Sequence, residues 1–504
     1  MGEVEKLRDI PTINKKIKEG DIVVLTAEEF IELVENEGKV GKVAREVDVI
    51  TTGTFGIMCS SGAVVNLGHS DPPIKIERAW INDVPVCHSG AAVDLYIGAS
   101  KMSEIRPFEY GGGHVIEELV RGNEVELRAT AYGTDCYPRT QLLTRLTKYD
   151  LNQFILLNFR NTYQKYVCAV NSSDETIYTY MGKLYPRIGN ATFSGAGALN
   201  PLTRDPTYRS IGIGTRIFLG GGVGYVIGEG TQHNPKAGFG TLMVKGDAKK
   251  MKPEYIRGAA ITGYGTSMFV GLGIPIPIID MELARSAAKR DEDLITDIVD
   301  YGVPRRERPV LGKVSYAELK SGRIVVGEKT VKVSPLSSLP MARKIAMELK
   351  KWIEEGEFYL TEPVERLSTD TEYKPMKMVE RVVYVGNIVR RAVKCREDES
   401  LEEVAERMIK NAVNHIVIVD DEDYLKGIVT SWDVTKAVAE KRRRLKEVIV
   451  RNVVTAYPTD TVEEAARRMK KYDISALPVV NMEKKVLGIV TAEDIAKLWG
   501  ARMR

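Results

Sequence analysis

The sequence predicts two unlike parts. Residues 1–368 read as an α/β or α+β domain of unassigned topology; a polar linker follows at 369–380, then two β-α-β-β-α repeats at 381–444 and 445–504. Three observations predict this. At 504 residues the chain exceeds what one ordinary core organises. A gapless internal repeat lies near its C-terminal end. Before that repeat, glycine is dense, above all from Gly212 to Gly246, and short β-branched runs are mixed with amphipathic ones.

In chain order, "DIVVL" (Asp21–Leu25), "VDVITTG" (Val47–Gly53) and "EVELRATAYG" (Glu124–Gly133) read as strands. Ala27–Gly38 and Leu339–Glu357 read as amphipathic helices, the second with Pro340 near its start. The glycine-rich stretch contains neither G-x-G-x-x-G nor G-x-x-x-x-G-K-[ST], so dinucleotide and P-loop readings fail on spacing. Its glycines either make tight strand turns or let the backbone approach a ligand. "STDTEYKPMK" (Ser368–Lys377) is polar and unpatterned, as a linker is.

The repeat lays Ser400–Val434 over Thr461–Ile495, each copy reading helix, strand, turn, strand, helix. G-I-V-T-x-x-D occurs twice, at Gly427–Asp433 and Gly488–Asp494. This resembles a tandem pair of CBS domains. The resemblance implies two clefts for an adenosine ligand, with Asp433 and Asp494 on ribose hydroxyls and Thr430 and Thr491 near a phosphate or its substitute. A carboxylate is a good bidentate acceptor for a diol, and a threonine at a helix N-terminus can meet an anion. Ile416 and Leu477 are expected against the adenine. S-adenosylmethionine or a relative is the expected effector and AMP or ATP the alternative, which "KRRRLK" (Lys441–Lys446) favours if it turns into the cleft. A homodimer through this module is also expected.

A net charge of +3 gives no whole-protein case for nucleic acid. No N-terminal stretch resembles a signal peptide, and the greasy Met268–Asp280 is too short to span a bilayer. Five scattered cysteines do not make a disulfide framework, so a cytoplasmic protein with reduced thiols is expected. There is no C-x-x-C and no H-E-x-x-H, so neither a metal nor a tightly bound cofactor is expected.

Among the thiols, Cys168 looks structural, Cys395 incidental, and Cys87 stays open. Cys59 in "TTGTFGIMCSSGAVVN" and Cys136 in "YGTDCYPRTQ" both follow a strand and sit in loops of turn residues. They read as a reactive pair, because loops on a rigid scaffold carry chemistry. A thiolate needs a nearby cation or helix dipole, which Arg139 or the Tyr110–His114 glycine turn could supply. Candidates for a substrate carboxylate are Arg139, Arg204, Gly112 and His114, with His233 as an acid–base or substrate contact.

The segments "TTGTFGIMCSSG", "EYGGGHVIEELVRG", "ATAYGTDCYPR" and "GGGVGYVIGEGTQHNP" together resemble the homocysteine-forming sulfurtransferases of methanogenic archaea that act on L-aspartate semialdehyde. The resemblance implies that Cys136 carries a persulfide and that Cys59 resolves it. Sulfide or a sulfane-sulfur donor would supply the sulfur. A small iron–sulfur protein accompanies some members; here CBS repeats stand in its place. Two other readings remain: a non-enzymatic adenosyl-ligand sensor, and a CBS-containing dehydrogenase with a catalytic loop cysteine.

Overall fold

The computed structural model describes residues 5–88, 90–377 and 382–502. It divides into two units, 1–374 and 375–504. Residues 378–381, the end of the expected linker and the first residue of repeat 1, lie outside the described residues. The earlier part of that linker is tied to the first unit, since the Thr371 hydroxyl donates to the Glu229 carboxylate.

The first unit opens with α1 (Ile10–Glu19), whose N-terminus is capped by the Asp9 side chain and whose end is the left-handed Gly20. Then come β1 (Val24–Thr26), α2 (Ala27–Glu37), α3 (Val40–Glu46) and β2 (Val49–Thr51). Thr26 and Glu29 close a capping box that starts α2 directly at the end of β1. β1 and β2 pair in parallel.

Next are β3 (Thr54–Ile57), β4 (Ser61–Asn66), β5 (Arg78–Ile81), β6 (Val84–His88), β7 (Asp94–Gly98), α4 (Gly112–Arg121), β8 (Val125–Thr130), β9 (Gln141–Leu146) and β10 (Gln153–Tyr163). The main sheet has thirteen strands. One half runs β10-β4-β7-β6-β5-β8-β9, with β9 at the edge. The other half includes the glycine-rich stretch, in which Arg216–Leu219, Gly222–Glu229 and Thr241–Asp247 form an antiparallel meander joined to β10, and continues through Gly265–Gly273 to Ile256–Ile261 and β3. Gly220 and Gly221, at φ 62° and 85°, make the two-residue turn of its first hairpin. Here the glycines turn strands.

α4 lies on this sheet and buries Val115, Ile116, Leu119 and Val120. A second, six-stranded sheet contains Cys168–Val170, Ile295–Asp300 and Lys329–Pro335. The helix at Leu339–Glu354 begins behind Ser338 with proline in its first turn and packs on β3.

In the second unit, Lys394–Cys395, Leu401–Asn411, His415–Val419, Leu425–Thr430 and Ser431–Ala439 give the expected β-α-β-β-α order. The second copy repeats it from Ala456, which bridges in parallel to Val479, through Val462–Tyr472, Ala476–Val480, Val486–Thr491 and Ala492–Arg502.

Candidate functional site

Cys59 stands in the turn between β3 and β4, where Ser61 N–H donates to the Met58 carbonyl. Its Sγ accepts a hydrogen bond from Ser267 Oγ at 3.1 Å. The thiol opens into a cavity of about 570 Å³ whose wall includes Arg160, Lys165, Arg306, Arg308 and several tyrosines. No Asp or Glu lines it among the described residues. Lys165 is paired with Asp297 at 2.6 Å, and Arg306 lies 3.6 Å from Glu307. Arg160 is held by the Gln232 side-chain oxygen, and Arg308 lies 4.4 Å over the Tyr301 ring. Each of these two arginines keeps a buried Nε–H without a partner. The Tyr180 and Tyr301 hydroxyls meet at 2.6 Å on the same wall.

Burial pushes the Cys59 thiol above its usual range, with the Ser267 hydrogen bond and Arg160 opposing the shift. The resting group is therefore a protonated thiol beside unspent positive charge.

Cys136 is elsewhere. β8 and β9 form the outermost hairpin of the main sheet, and the ladder continues past them through Ala131 N–H to Thr140 O. Thr134 and Tyr137 then exchange both backbone hydrogen bonds, at 2.9 and 3.0 Å. Asp135 and Cys136 occupy the apex of this finger, and both are exposed.

The pairings locate that apex relative to Cys59. Gly62 of β4 faces Gly98 of β7, and Asn66 faces Asp94. Cys87 faces Tyr96, Ala79 faces Val86, and Arg78 faces Thr130. Thr130, where the finger starts, is thus at the Asn66 end of the sheet, whereas Cys59 precedes Ser61 at the other end. Five residue steps along β4 alone are about 17 Å. The expectation that the two thiols of one chain form a pair is therefore corrected. A disulfide needs Cα atoms within roughly 7 Å.

Several substrate candidates also have other work. The Arg139 guanidinium donates to the Pro72 and Asp71 carbonyls, bracing the base of the finger. Arg204 is fully buried and donates to the Ala287 and Lys289 carbonyls; burial lowers its pKa to about 10. The glycine turn is not an open anion nest. Gly112 N–H donates to Lys101 O, Gly113 N–H to Ala99 O, and Gly111 N–H to His114 Nδ1. Its glycines are there for close packing, since a Cβ on Gly112 would run into Gly98 O and one on Gly113 into Ser267 O. His114 is stacked on Tyr110 at 5.2 Å, and burial lowers its pKa. His233 bridges Thr241 and Ser368 through both ring nitrogens. It is a brace beneath the cavity's Gln232. Cys168 and Cys395 are buried, and burial raises each pKa to about 12.

In the second unit, a cleft of about 740 Å³ is lined by Thr430 and Thr491 together with Arg390, His415, Trp432 and Lys497. Asp433 and Asp494 each spend one carboxylate oxygen on the N–H and hydroxyl of the threonine three residues earlier. The free oxygens differ: Asp494 Oδ1 is 2.5 Å from Arg390 Nε, and Asp433 has no ion-pair partner among the described residues. Ile416 and Leu477 do not line the cleft; both are fully buried between sheet and helices. Its apolar surface includes Val393, Val413 and Ile489. None of Lys441–Lys446 lines it, and Arg442 pairs with Glu440.

Among the described residues, no group of three or more His, Cys, Asp or Glu could hold a metal ion. None of their helices is long and apolar enough to cross a membrane.

A family model described as "Homocysteine biosynthesis enzyme, sulfur-incorporation" matches residues 22–360, and the CBS domain model matches 385–440 and 445–500. A protein of Methanosarcina acetivorans named L-aspartate semialdehyde sulfurtransferase is 50% identical over 98% of this chain and 99% of its own length. One of the same name from Methanocaldococcus jannaschii is likewise 50% identical, with the same coverages. Among solved structures, a CBS domain pair in complex with 5'-methylthioadenosine and S-adenosyl-L-methionine is 39% identical, covering 24% of this chain and 99% of that one at a TM-score of 0.24.

Proposed function

The chain belongs to the family of homocysteine biosynthesis enzymes of the sulfur-incorporation type, and from that premise we propose that it is a sulfurtransferase converting L-aspartate semialdehyde to L-homocysteine. The observation that carries the reading is the thiol of Cys59 lining a cavity together with Arg160 and Arg308, with no Asp or Glu on its wall among the described residues. Such a cavity offers cationic donors to the carboxylate of a small molecule that also bears an electrophilic carbon. The substrate's carboxylate pairs with the Arg308 guanidinium on the cavity wall, a stronger bond than a neutral one.

In the proposed chemistry, a persulfide on Cys136 adds its outer sulfur to the aldehyde carbon, and the aldehyde oxygen takes the proton to become a hydroxyl. Cys59 then attacks Cys136 Sγ. The Cys59–Cys136 disulfide forms as the bond to the outer sulfur breaks, and that electron pair stays with the substrate. The hydroxyl leaves as water with the Cys59 proton, giving a thioaldehyde. A two-electron reductant converts the thioaldehyde to the thiol, and a second pair of electrons regenerates the two cysteines. A sulfane-sulfur donor recharges the reduced Cys136 directly, whereas sulfide does so by attacking Cys136 Sγ of the Cys59–Cys136 disulfide, which forms the persulfide, releases the Cys59 thiol and takes the place of the second electron pair. A low-potential carrier such as a small iron–sulfur protein can supply the electrons.

The CBS pair is proposed to sense an adenosine-bearing ligand, with Thr430 and Thr491 on the cleft wall as contacts and the second oxygen of Asp433, which is not itself among the lining residues, reached by the ribose from beside Thr430. S-adenosylmethionine or a relative fits a feedback role, with AMP or ATP the alternative.

The test is an anaerobic assay with aspartate semialdehyde, sulfide or a persulfide donor, and a reductant, scoring homocysteine. Product is expected, and Arg308→Ala should raise KM about 10- to 100-fold, the loss of a charged hydrogen bond. No product from the intact chain, with an adenosyl ligand still bound, would leave the sensor reading.

A further inference from the structure

Resting on the two-thiol reading above, we propose that the active site is completed in trans, the Cys136 finger of one chain entering the Cys59 cavity of a second copy. Within a single chain the two sulfurs are kept at opposite ends of β4. Bringing the apex across would mean undoing the six-pair β8–β9 ladder, the Arg139 clamp on Asp71 and Pro72, and the Ile74–Arg139 bridge. The closed Thr134–Tyr137 turn leaves no slack at the tip.

The finger and the cavity are complementary. The finger belongs to the hairpin at one edge of its sheet: among the described residues β9 pairs with β8 alone, while the base of the finger is braced at Arg139 and His69 stacks on Tyr137, leaving Asp135 and Cys136 exposed. Its apex presents the Asp135 carboxylate next to the thiol. The cavity presents four cationic side chains and no acidic one among the described residues, and it is larger than a four-carbon aldehyde needs. One carboxylate from the finger and one from the substrate would answer Arg160 and Arg308. A two-fold pair of chains satisfies both fingers and both cavities at once, so the assembly closes at two copies.

In the transfer step, Cys59 Sγ of one chain bonds to Cys136 Sγ of the other as the bond from Cys136 to the outer sulfur breaks. The electron pair goes to that sulfur, which stays on the substrate, and the Cys59 proton leaves in water. The resulting disulfide links two chains.

The test co-expresses Cys59→Ser and Cys136→Ser chains with different affinity tags and purifies the doubly tagged species. Each single variant alone should lose at least about a hundredfold in homocysteine formation. The mixed pair has one cavity with both thiols and should recover about half the wild-type rate per dimer, one site of two being whole. A doubly tagged pair as inactive as the single variants, or no doubly tagged species at all, overturns the inference. Wild-type turnover in either single variant would instead sink the two-thiol reading beneath it. Circular dichroism of both variants guards against simple misfolding.

Discussion

At the scale of single residues, the two thiols differ in what surrounds them. Cys59 is half-enclosed with a raised pKa, and Cys136 is at an exposed apex. Because burial disfavours the charged form, the Cys59 thiolate is scarce at neutral pH and appears as pH rises through its raised pKa. Its alkylation by iodoacetamide, followed by peptide mass spectrometry, should have a midpoint above the ordinary thiol value of about 8.5. Arg160→Gln should move that midpoint higher, since Arg160 favours the thiolate. A midpoint below the ordinary value would mean that the enclosure described for Cys59 is wrong. The sequence singles out Cys59 and Cys136 because a cysteine among turn residues after a strand is unusual. It hides Arg160 and Arg308, because an arginine in the strand run "NFRNTY" or in "PRRERP" has no local signature of facing a cavity.

Among the elements, α4 is the one that fixes the thiol's partner. Its first turn, Gly112–Gly113, lies against Gly98 O and Ser267 O, and the Ser267 hydroxyl holds Cys59. Gly113→Ala would force α4 off the sheet or shift the Ser267 backbone. We expect a loss of about 1–3 kcal/mol in denaturant unfolding, as for other overpacked positions, together with faster alkylation of Cys59 as its hydrogen bond loosens. A variant as stable as the wild type with unchanged alkylation would show that this contact does not matter. The sequence already shows three glycines opening onto a helix. Whether they grip an anion or a neighbouring strand depends on which strand lies beneath them, and that is settled by pairing far along the chain.

Across the whole molecule, the same limit explains what the sequence could and could not say. Helix existence, the repeat and the boundary between two unlike parts follow from local pattern. Strand order does not, and β4 lies between β7 and β10 rather than beside its sequence neighbours β3 and β5. The separation of the thiols follows from that order and from the register of its pairings. In the CBS unit, the repeat predicts equivalent aspartates, yet Arg390 covers only Asp494. Its repeat counterpart, Arg451, pairs with Glu397 instead. Arg390→Ala in the full chain should tighten a ribose-bearing, phosphate-free ligand such as S-adenosylmethionine by about two- to fivefold at that cleft, the scale of a half-exposed ion pair. Calorimetry showing unchanged affinity would remove the ion pair as a source of asymmetry. The length of β4 has a consequence of its own. On the in-trans reading proposed above, it keeps the apex to be charged with sulfur and the cavity that holds the aldehyde at opposite ends of each chain, so a sulfur donor docked on a withdrawn finger does not contend for room with an aldehyde waiting in the partner's cavity. Charging and unloading can then overlap in time, and a chain with a waiting substrate need not expel it to be refuelled.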